Sequence, residues 1–450
     1  LIRRLLTALL VLLAAEMSAS ELQEKINSLA TPLIDDGVVV GMVVGVVRGD
    51  DVEFFAYGET KKGSKVSPDK DSVYEIGSVT KVFTGVLLAD AVREGKVAVD
   101  DALQEHLPDK VNAPIVDEDA ITLQHLATHT SGLPRMPGNF APKDPTRPYA
   151  DYDRKKLFSF LADVDLSRGP GKYEYSNYAT GLLGEVLADQ WKSSYEQAIA
   201  DRILEPLNLK DTGITLNDSM QERFVPGYNA VLKEEPAWEF QAFAGAGAIR
   251  STAADMVKFI QANLRDDDAG ITLALRDAQK KQPFPKTGQS MALGWHIAGD
   301  GMTRWHNGMT GGYHSWLAVV PKHDLGVVVL SNTATMKVTQ FGEQVTRLAF
   351  GGEVTPPARR KEVEVEAATL KKYVGTYQLT PQFALTVRLD DNKLMVQATG
   401  QPELQVFADS PTKFFYKVVD AQITFVPGDD GKVDKLILHQ FGRNMEAKRK

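Results

Sequence analysis

The 450-residue sequence predicts an α/β fold, an antiparallel sheet flanked by helices, with a small all-β barrel appended at the C-terminus. Three observations predict it. An apolar hairpin pattern runs from Val38 to Tyr57. A second pair of apolar strands, Ser315–Val320 and Gly326–Leu330, returns late in the chain, with helical stretches and Pro- and Gly-rich loops in between. Past Gly351 the composition changes, and short strands recur roughly every eight to ten residues. A sheet built from both ends of a segment, with helices between, is a layered α/β arrangement.

Composition narrows the class further. A chain this long exceeds one ordinary core and calls for two domains, or one large domain with an appendage. Hydrophobic residues at 43% and charged residues at 24% match a soluble globular protein. The net charge of −8, without a long basic run, argues against a nucleic-acid partner. With no cysteine there are no disulfides, thiolate metal sites or cysteine nucleophile.

The elements follow in order. Arg3 and Arg4 precede an apolar run, Leu5 to Ala15, and then the small residues Ser18-Ala19-Ser20. This is the pattern of an export signal over residues 1–20. The run is too short to span a bilayer, so the expectation is a periplasmic or secreted protein with no integral span once the signal is cleaved. Leu22, Ile26, Leu29 and Leu33 recur at helical spacing over residues 21–36. Strands are expected at Val38–Val47 and Val52–Tyr57, joined by a turn at Arg48-Gly49-Asp50-Asp51. Residues from Glu75 to Glu94 read as a helix with Gly95 at its end, and Val338–Ala349 as another. Residues 21–350 are expected to form one domain. Gly351-Gly352-Glu353-Val354-Thr355-Pro356-Pro357 and the charged run from Arg359 to Glu366 make residues 351–366 a linker. Residues 367–450 form the expected barrel, with strands at Tyr373–Leu379, Phe383–Leu389, Lys393–Thr399, Leu404–Ala408, Lys413–Val419, Gln422–Val426 and Val433–Leu438. Arg443, Lys448, Arg449 and Lys450 read as a solvated basic end.

Three short motifs carry chemistry. In Gly77-Ser78-Val79-Thr80-Lys81, a helix begins where a strand ends. Ser78 and Lys81, three apart, project from one helical face. A serine needs a base to become a nucleophile, and a lysine serves when desolvation lowers its pKa. The plain structural alternative is an N-cap serine beside a solvated lysine. In Tyr175-Ser176-Asn177, a tyrosine near a charged lysine can shuttle a proton, and an asparagine offers both a donor and an acceptor. The alternative is a packed tyrosine at an Asn turn. In His306-Asn307-Gly308-Met309-Thr310-Gly311-Gly312, glycines beside a strand let backbone N–H groups approach a ligand, and His306 can aid binding or proton transfer. The alternative is a hairpin turn with an incidental histidine.

Taken in this order, the three motifs resemble the class C β-lactamase family and its relatives, the serine D,D-peptidases, D-aminopeptidases and carboxylesterases. Ile121 to Leu133, Glu205-Pro206-Leu207, Ala246 to Met256 and Val327 to Asn332 resemble further stretches of that family. The resemblance covers about residues 21–350 and implies a β-lactamase/transpeptidase-like fold. It implies Ser78 as nucleophile, Lys81 as its activator and Tyr175 as general base and acid. Asn177 would orient the substrate, while His306, Asn307, Gly308 and Met309 would line a substrate-binding strand edge, with the Met309 amide an oxyanion donor. Which of Lys81 and Tyr175 takes the first proton stays open, because the two titrate as a pair. The tail, with Tyr373-Val374-Gly375-Thr376-Tyr377, resembles the lipocalin-like barrel attached to such hydrolases.

One departure is informative. The strict β-lactamase pattern has Lys-Thr-Gly where this chain has His306-Asn307-Gly308, and a literal Lys286-Thr287-Gly288 is read as a decoy. A histidine is less reliably cationic than a lysine, which leaves room for esters or amides. The implied function is therefore an exported serine hydrolase forming an acyl-enzyme on β-lactams or D-amino-acid peptides. The alternatives are a carboxylesterase for short acyl esters and a slow-turnover penicillin-binding sensor. The expected partner is a small-molecule substrate, with no cofactor and no metal. The pair His125 and His129 lacks a third ligand nearby and is set aside as a metal site. Trp295, Trp305 and Trp316 are read as either cleft walls or core.

Overall fold

The computed structural model describes residues 18–450 except 117, 269, 286–287, 357–361, 402, 418, 420, 429 and 441. Most of the expected export signal, part of the linker, and Lys286 and Thr287 of the Lys-Thr-Gly triplet lie outside the described residues.

The sheet has seven strands, ordered Asp51–Gly58, Gly41–Arg48, Leu325–Ser331, His314–Val320, Arg304–Met309, His296–Ile297 and Ser290–Met291. All neighbours are antiparallel. Met42 opposite Ser331 and Arg48 opposite Leu325 set the register that joins the two ends of the chain. The central strands are buried on both faces, which is why they read as continuous apolar runs rather than alternating ones. Alternate residues serve different layers. Val44, Val46, Val327 and Val329 pack toward the helices Ala19–Asp35 and Lys337–Ala349. Val43, Val47, Val328 and Leu330 pack toward the larger layer that holds Thr80–Arg93, Asn177–Gln190 and Ala253–Leu264. Phe83 stacks on Phe259 at 4.3 Å within that layer. Each fully buried phenylalanine there contributes about 1.5–3 kcal/mol of apolar burial.

The Thr80–Arg93 helix is buried on nearly all sides, including Lys81 and Thr84. Its end matches expectation: Gly95 takes φ +67° and its N–H donates to the Val92 carbonyl, while the Lys96 N–H donates to the Ala91 carbonyl. Its start differs. Val73–Glu75 forms a short strand, and a single 3₁₀ turn, Gly77–Val79, precedes the helix.

The C-terminal unit is a closed barrel of eight antiparallel strands. Tyr377, Val387, Phe414, Phe425, Leu436 and Ala447 fill its interior. Three expectations are corrected here. The basic end is not a solvated tail: Arg443–Arg449 is the eighth strand, and it closes the barrel by pairing Tyr377 with Arg449 and Gln378 with Lys448. Only Ala447 is fully buried on that strand, so its inward face carries almost no apolar signal. Tyr373 does not begin the first strand; it ends a helix, Ala367–Tyr373, and stacks on Phe425 at 4.1 Å inside the barrel. The strand expected to reach Val419 runs only from Lys413 to Phe415.

Between the sheet and the Lys337–Ala349 helix, His314 Nε2 lies 2.7 Å from Thr339 Oγ1. Burial pushes the His314 pKa down to about 4. The unfolded chain, with its histidine near 6.5, then binds a proton first as the pH falls. This group therefore costs stability from about pH 6.5 down to about pH 4, with a limiting slope of ~1.4 kcal/mol per pH unit. Urea midpoints measured at pH 7 and pH 5 should separate less in His314→Gln than in the parent protein.

Candidate active site

Ser78 sits in the middle of the 3₁₀ turn, and the helix proper is capped at Val79 with no side-chain hydrogen bond. The Ser78 hydroxyl is therefore not spent on capping. Lys81 follows one turn on, 1% exposed, with its Nζ 3.0 Å from Ser78 Oγ. The same Nζ donates to the Ala246 carbonyl at 2.6 Å, a partner supplied by a distant segment. Burial, reinforced by the positive charge of Arg135, holds the Lys81 pKa well below the usual lysine value. An amine whose proton affinity is lowered in this way serves more readily as a base.

Tyr175 is set beside this pair by the start of the next helix. Ser176 caps Asn177–Gln190 by accepting from the Ala179 N–H, donates its hydroxyl to the Pro134 carbonyl, and donates its N–H to His129 Nδ1. These three contacts leave Tyr175 facing Lys81, whose Nζ lies 5.1 Å from the ring centre. Burial pushes the phenol pKa up, while a hydrogen bond with Ser78 and the charge of Arg135 pull it down. Asn177, Ser78 and Met309 line one cavity of about 140 Å³. Two larger grooves, of about 710 and 510 Å³, do not touch Ser78.

The third motif lies on the Arg304–Met309 strand itself. The Ser315 hydroxyl, on the neighbouring strand, donates to the Ile76 carbonyl at 2.7 Å and ties the sheet to the Ser78 turn. The approach is tight. A Cβ on Gly308 would stand 2.0 Å from the Ile76 oxygen and 2.9 Å from the Ser78 nitrogen. Gly77, at φ +50°, would meet the Met309 nitrogen at 2.8 Å. The amides of Ser78 and Met309 are thus brought to the same mouth, as an oxyanion site requires.

The other two motif residues lie elsewhere. His306 is fully buried behind Tyr175, with ring centres 6.2 Å apart, and its Nδ1 contacts the Asn307 carbonyl at 2.5 Å. Burial and neighbouring His296 push its pKa well down, so it is a neutral ring. The Asn307 side chain faces the opposite layer, with Nδ2 2.9 Å from Thr339 Oγ1. Strand alternation sends neighbouring side chains to opposite faces, so His306 and Asn307 cannot both reach the site.

Several site residues escaped the sequence reading. His129 packs under Tyr175 at 4.3 Å between ring centres, and its pKa is pushed well down by burial and by Lys81. His296 stacks on Trp305 at 4.5 Å and its pKa falls to about 4. Arg135 sits over the Tyr175 ring at 5.0 Å. His125 instead makes a capping box with Thr122. Among the described residues, no group of three or more His, Cys, Asp or Glu is placed to hold a metal ion. Trp295 is buried in the core and Trp305 stacks on Trp316 at 5.1 Å; Trp238 and Phe240 line the cavity instead. The HTSGL stretch holding His129 was a usable signal, but Arg135 and Trp238 have no spacing that marks them.

A buried serine–lysine–tyrosine cluster at the start of a helix, beside an antiparallel sheet edge, defines a class of acyl-transferring serine enzymes. Comparison with known proteins agrees. Residues 26–349 match the family described as Beta-lactamase, and residues 359–449 match one described as Domain of unknown function (DUF3471). The chain belongs to the β-lactamase family of serine hydrolases. It is 31% identical over 309 residues to the D-alanyl-D-alanine-carboxypeptidase/endopeptidase AmpH of Escherichia coli K12, covering 64% of this chain and 78% of that one. It is 28% identical over 368 residues to a β-lactamase of Escherichia coli K12, covering 72% of this chain and 93% of the relative. A crystal structure of a β-lactamase/D-alanine carboxypeptidase from Yersinia pestis, complexed with citrate, superposes with a TM-score of 0.64 at 25% identity. That match covers 74% of this chain and all of the other. No helix among the described residues is long and apolar enough to cross a membrane.

The contact at Gly308 yields a direct test. In Gly308→Ala the added methyl meets backbone on two sides, so the Ser78 turn must shift. The expected result is a fall in kcat of about 10²-fold or more, the scale of losing one oxyanion donor, while circular dichroism stays that of a folded protein.

Proposed function

We propose that the protein is an exported serine hydrolase whose Ser78 is acylated by β-lactams or D-amino-acid peptides. The observation that carries this reading is the buried Lys81 amine, 3.0 Å from Ser78 Oγ and stripped of its usual affinity for a proton. In the proposed cycle, Lys81 takes the hydroxyl proton as Ser78 Oγ attacks the carbonyl carbon. The oxyanion lies between the amides of Ser78 and Met309. The Tyr175 phenol gives its proton to the leaving nitrogen as the amide bond breaks, and is reprotonated from Lys81. Water then hydrolyses the Ser78 ester. The opposed pKa directions support this order, with the amine pushed down suited to the base and the phenol pushed up suited to the acid. Export rests on the basic-apolar-small pattern of residues 1–20.

A carboxylesterase is the second reading, and a specific observation favours it. The Arg304–Met309 strand offers the cavity no cation, since His306 is neutral and buried and Asn307 points away. A substrate carboxylate would find nothing there to match it.

Intact-mass spectrometry of the mature protein with a penicillin, alongside loss of the drug, tests the first reading. A covalent adduct or rapid drug loss is expected, and Ser78→Ala should abolish both; labelling that survives this change refutes the mechanism. No adduct, no drug loss and rapid ester hydrolysis would select the esterase. Lys81→Met should slow acylation by about 10²–10⁴-fold, the usual contribution of a positioned base. In the parent protein, kcat/KM should fall as the pH is lowered through the depressed Lys81 pKa, because the protonated amine cannot accept. Tyr175→Phe should slow amide substrates far more than a p-nitrophenyl ester, whose leaving group needs no proton.

A further inference from the structure

Arg135 is the single charged side chain in the lining of the Ser78 cavity among the described residues. It is exposed, and no carboxylate lines the cavity with it. Its guanidinium lies over the Tyr175 ring, 5.0 Å from the centre, which fixes its plane. Its backbone is held as firmly. The Arg135 carbonyl accepts from the N–H groups of Asn177 at 3.1 Å and Tyr178 at 3.3 Å, so Arg135 and Asn177 move as one piece.

This placement by itself is electrostatically unfavourable. The positive charge raises the cost of protonating Lys81 and His129, and no carboxylate among the described residues lines the cavity beside it. A planar, always-charged fork with free donors matches a carboxylate, which it can grip with two parallel hydrogen bonds. With the third motif lacking a cation, Arg135 is also the one charged side chain among the described residues of the lining that a substrate carboxylate can meet. Resting on the reading of Ser78 as the nucleophile, we propose that Arg135 is a specificity-determining residue. It receives a carboxylate carried by the acyl half of the substrate, the half that Asn177 orients. The preferred acyl donors are then acidic ones.

The test uses two esters that differ in one group: the p-nitrophenyl esters of N-succinyl-D-alanine and N-succinamoyl-D-alanine. The parent protein should favour the succinyl ester in kcat/KM by about 10- to 100-fold, the range of a charge-assisted hydrogen bond. Arg135→Gln should bring the ratio near unity, chiefly through KM. Arg135→Lys should keep part of the preference, and Arg135→Glu should reverse it. A role confined to activating Tyr175 would slow both esters alike and leave the ratio unchanged in Arg135→Gln, which would overturn the proposal. So would an absence of preference in the parent protein while both esters are cleaved in a Ser78-dependent way. If neither ester is cleaved through Ser78, the hydrolase reading falls and this one falls with it.

Discussion

The catalytic layer is arranged around a lysine amine kept out of water. Lys81 is 1% exposed on a helix that is itself almost wholly enclosed. An ammonium at that depth costs several kcal/mol of lost hydration, so burial weakens the hold of the amine on its proton. The Ala246 carbonyl and the Ser78 hydroxyl satisfy it. The neutral state of its neighbours follows from the same enclosure. His129, His296 and His306 are all buried, each with its pKa lowered, and each feels the Lys81 charge when that amine is protonated. The site is thus a nest of bases whose pKa values are all lowered, and among the described residues of its lining Arg135 is the one charged side chain.

The sheet supplies precision rather than chemistry. Its register is locked by seven consecutive pairs between the first strand and Leu325–Ser331. That register delivers Ser315 to the Ile76 carbonyl and Gly308 to the Ser78 amide. Two backbone segments far apart in sequence can approach this closely only where a side chain is missing from one of them. The glycine therefore matters for the volume it leaves empty, and the neighbouring His306 and Asn307 are sent to opposite layers by strand alternation.

Much of this was legible in the residues, and the limits have physical causes. The hairpin at Val38–Tyr57, the helix ending at Gly95 and the repeated short strands of the barrel are local patterns, so their periodicity shows them. Ser78, Lys81 and Tyr175 stand in short motifs of recognisable order, and the fold brings these three together as expected. The last barrel strand was missed because Arg443–Arg449 buries one small alanine and exposes charges, so it resembles a tail. Val419 and Tyr373 read as strand residues because β-branched and aromatic side chains favour strands; in the structure Tyr373 ends a helix and stacks on Phe425.

The sequence by itself determined the main strands and helices, the run of short strands in the appendage and the three chemical groups of the site, since each depends on neighbours within a few residues; the strand that closes the barrel was decided by the tertiary structure. Only the tertiary structure decided what surrounds them. The Ala246 carbonyl on Lys81, His129 beneath Tyr175, Arg135 over its ring and the opposed directions of His306 and Asn307 all arise from contacts across long stretches of chain. Burial and charge proximity set pKa values, and both are properties of the folded neighbourhood, which no local spacing encodes.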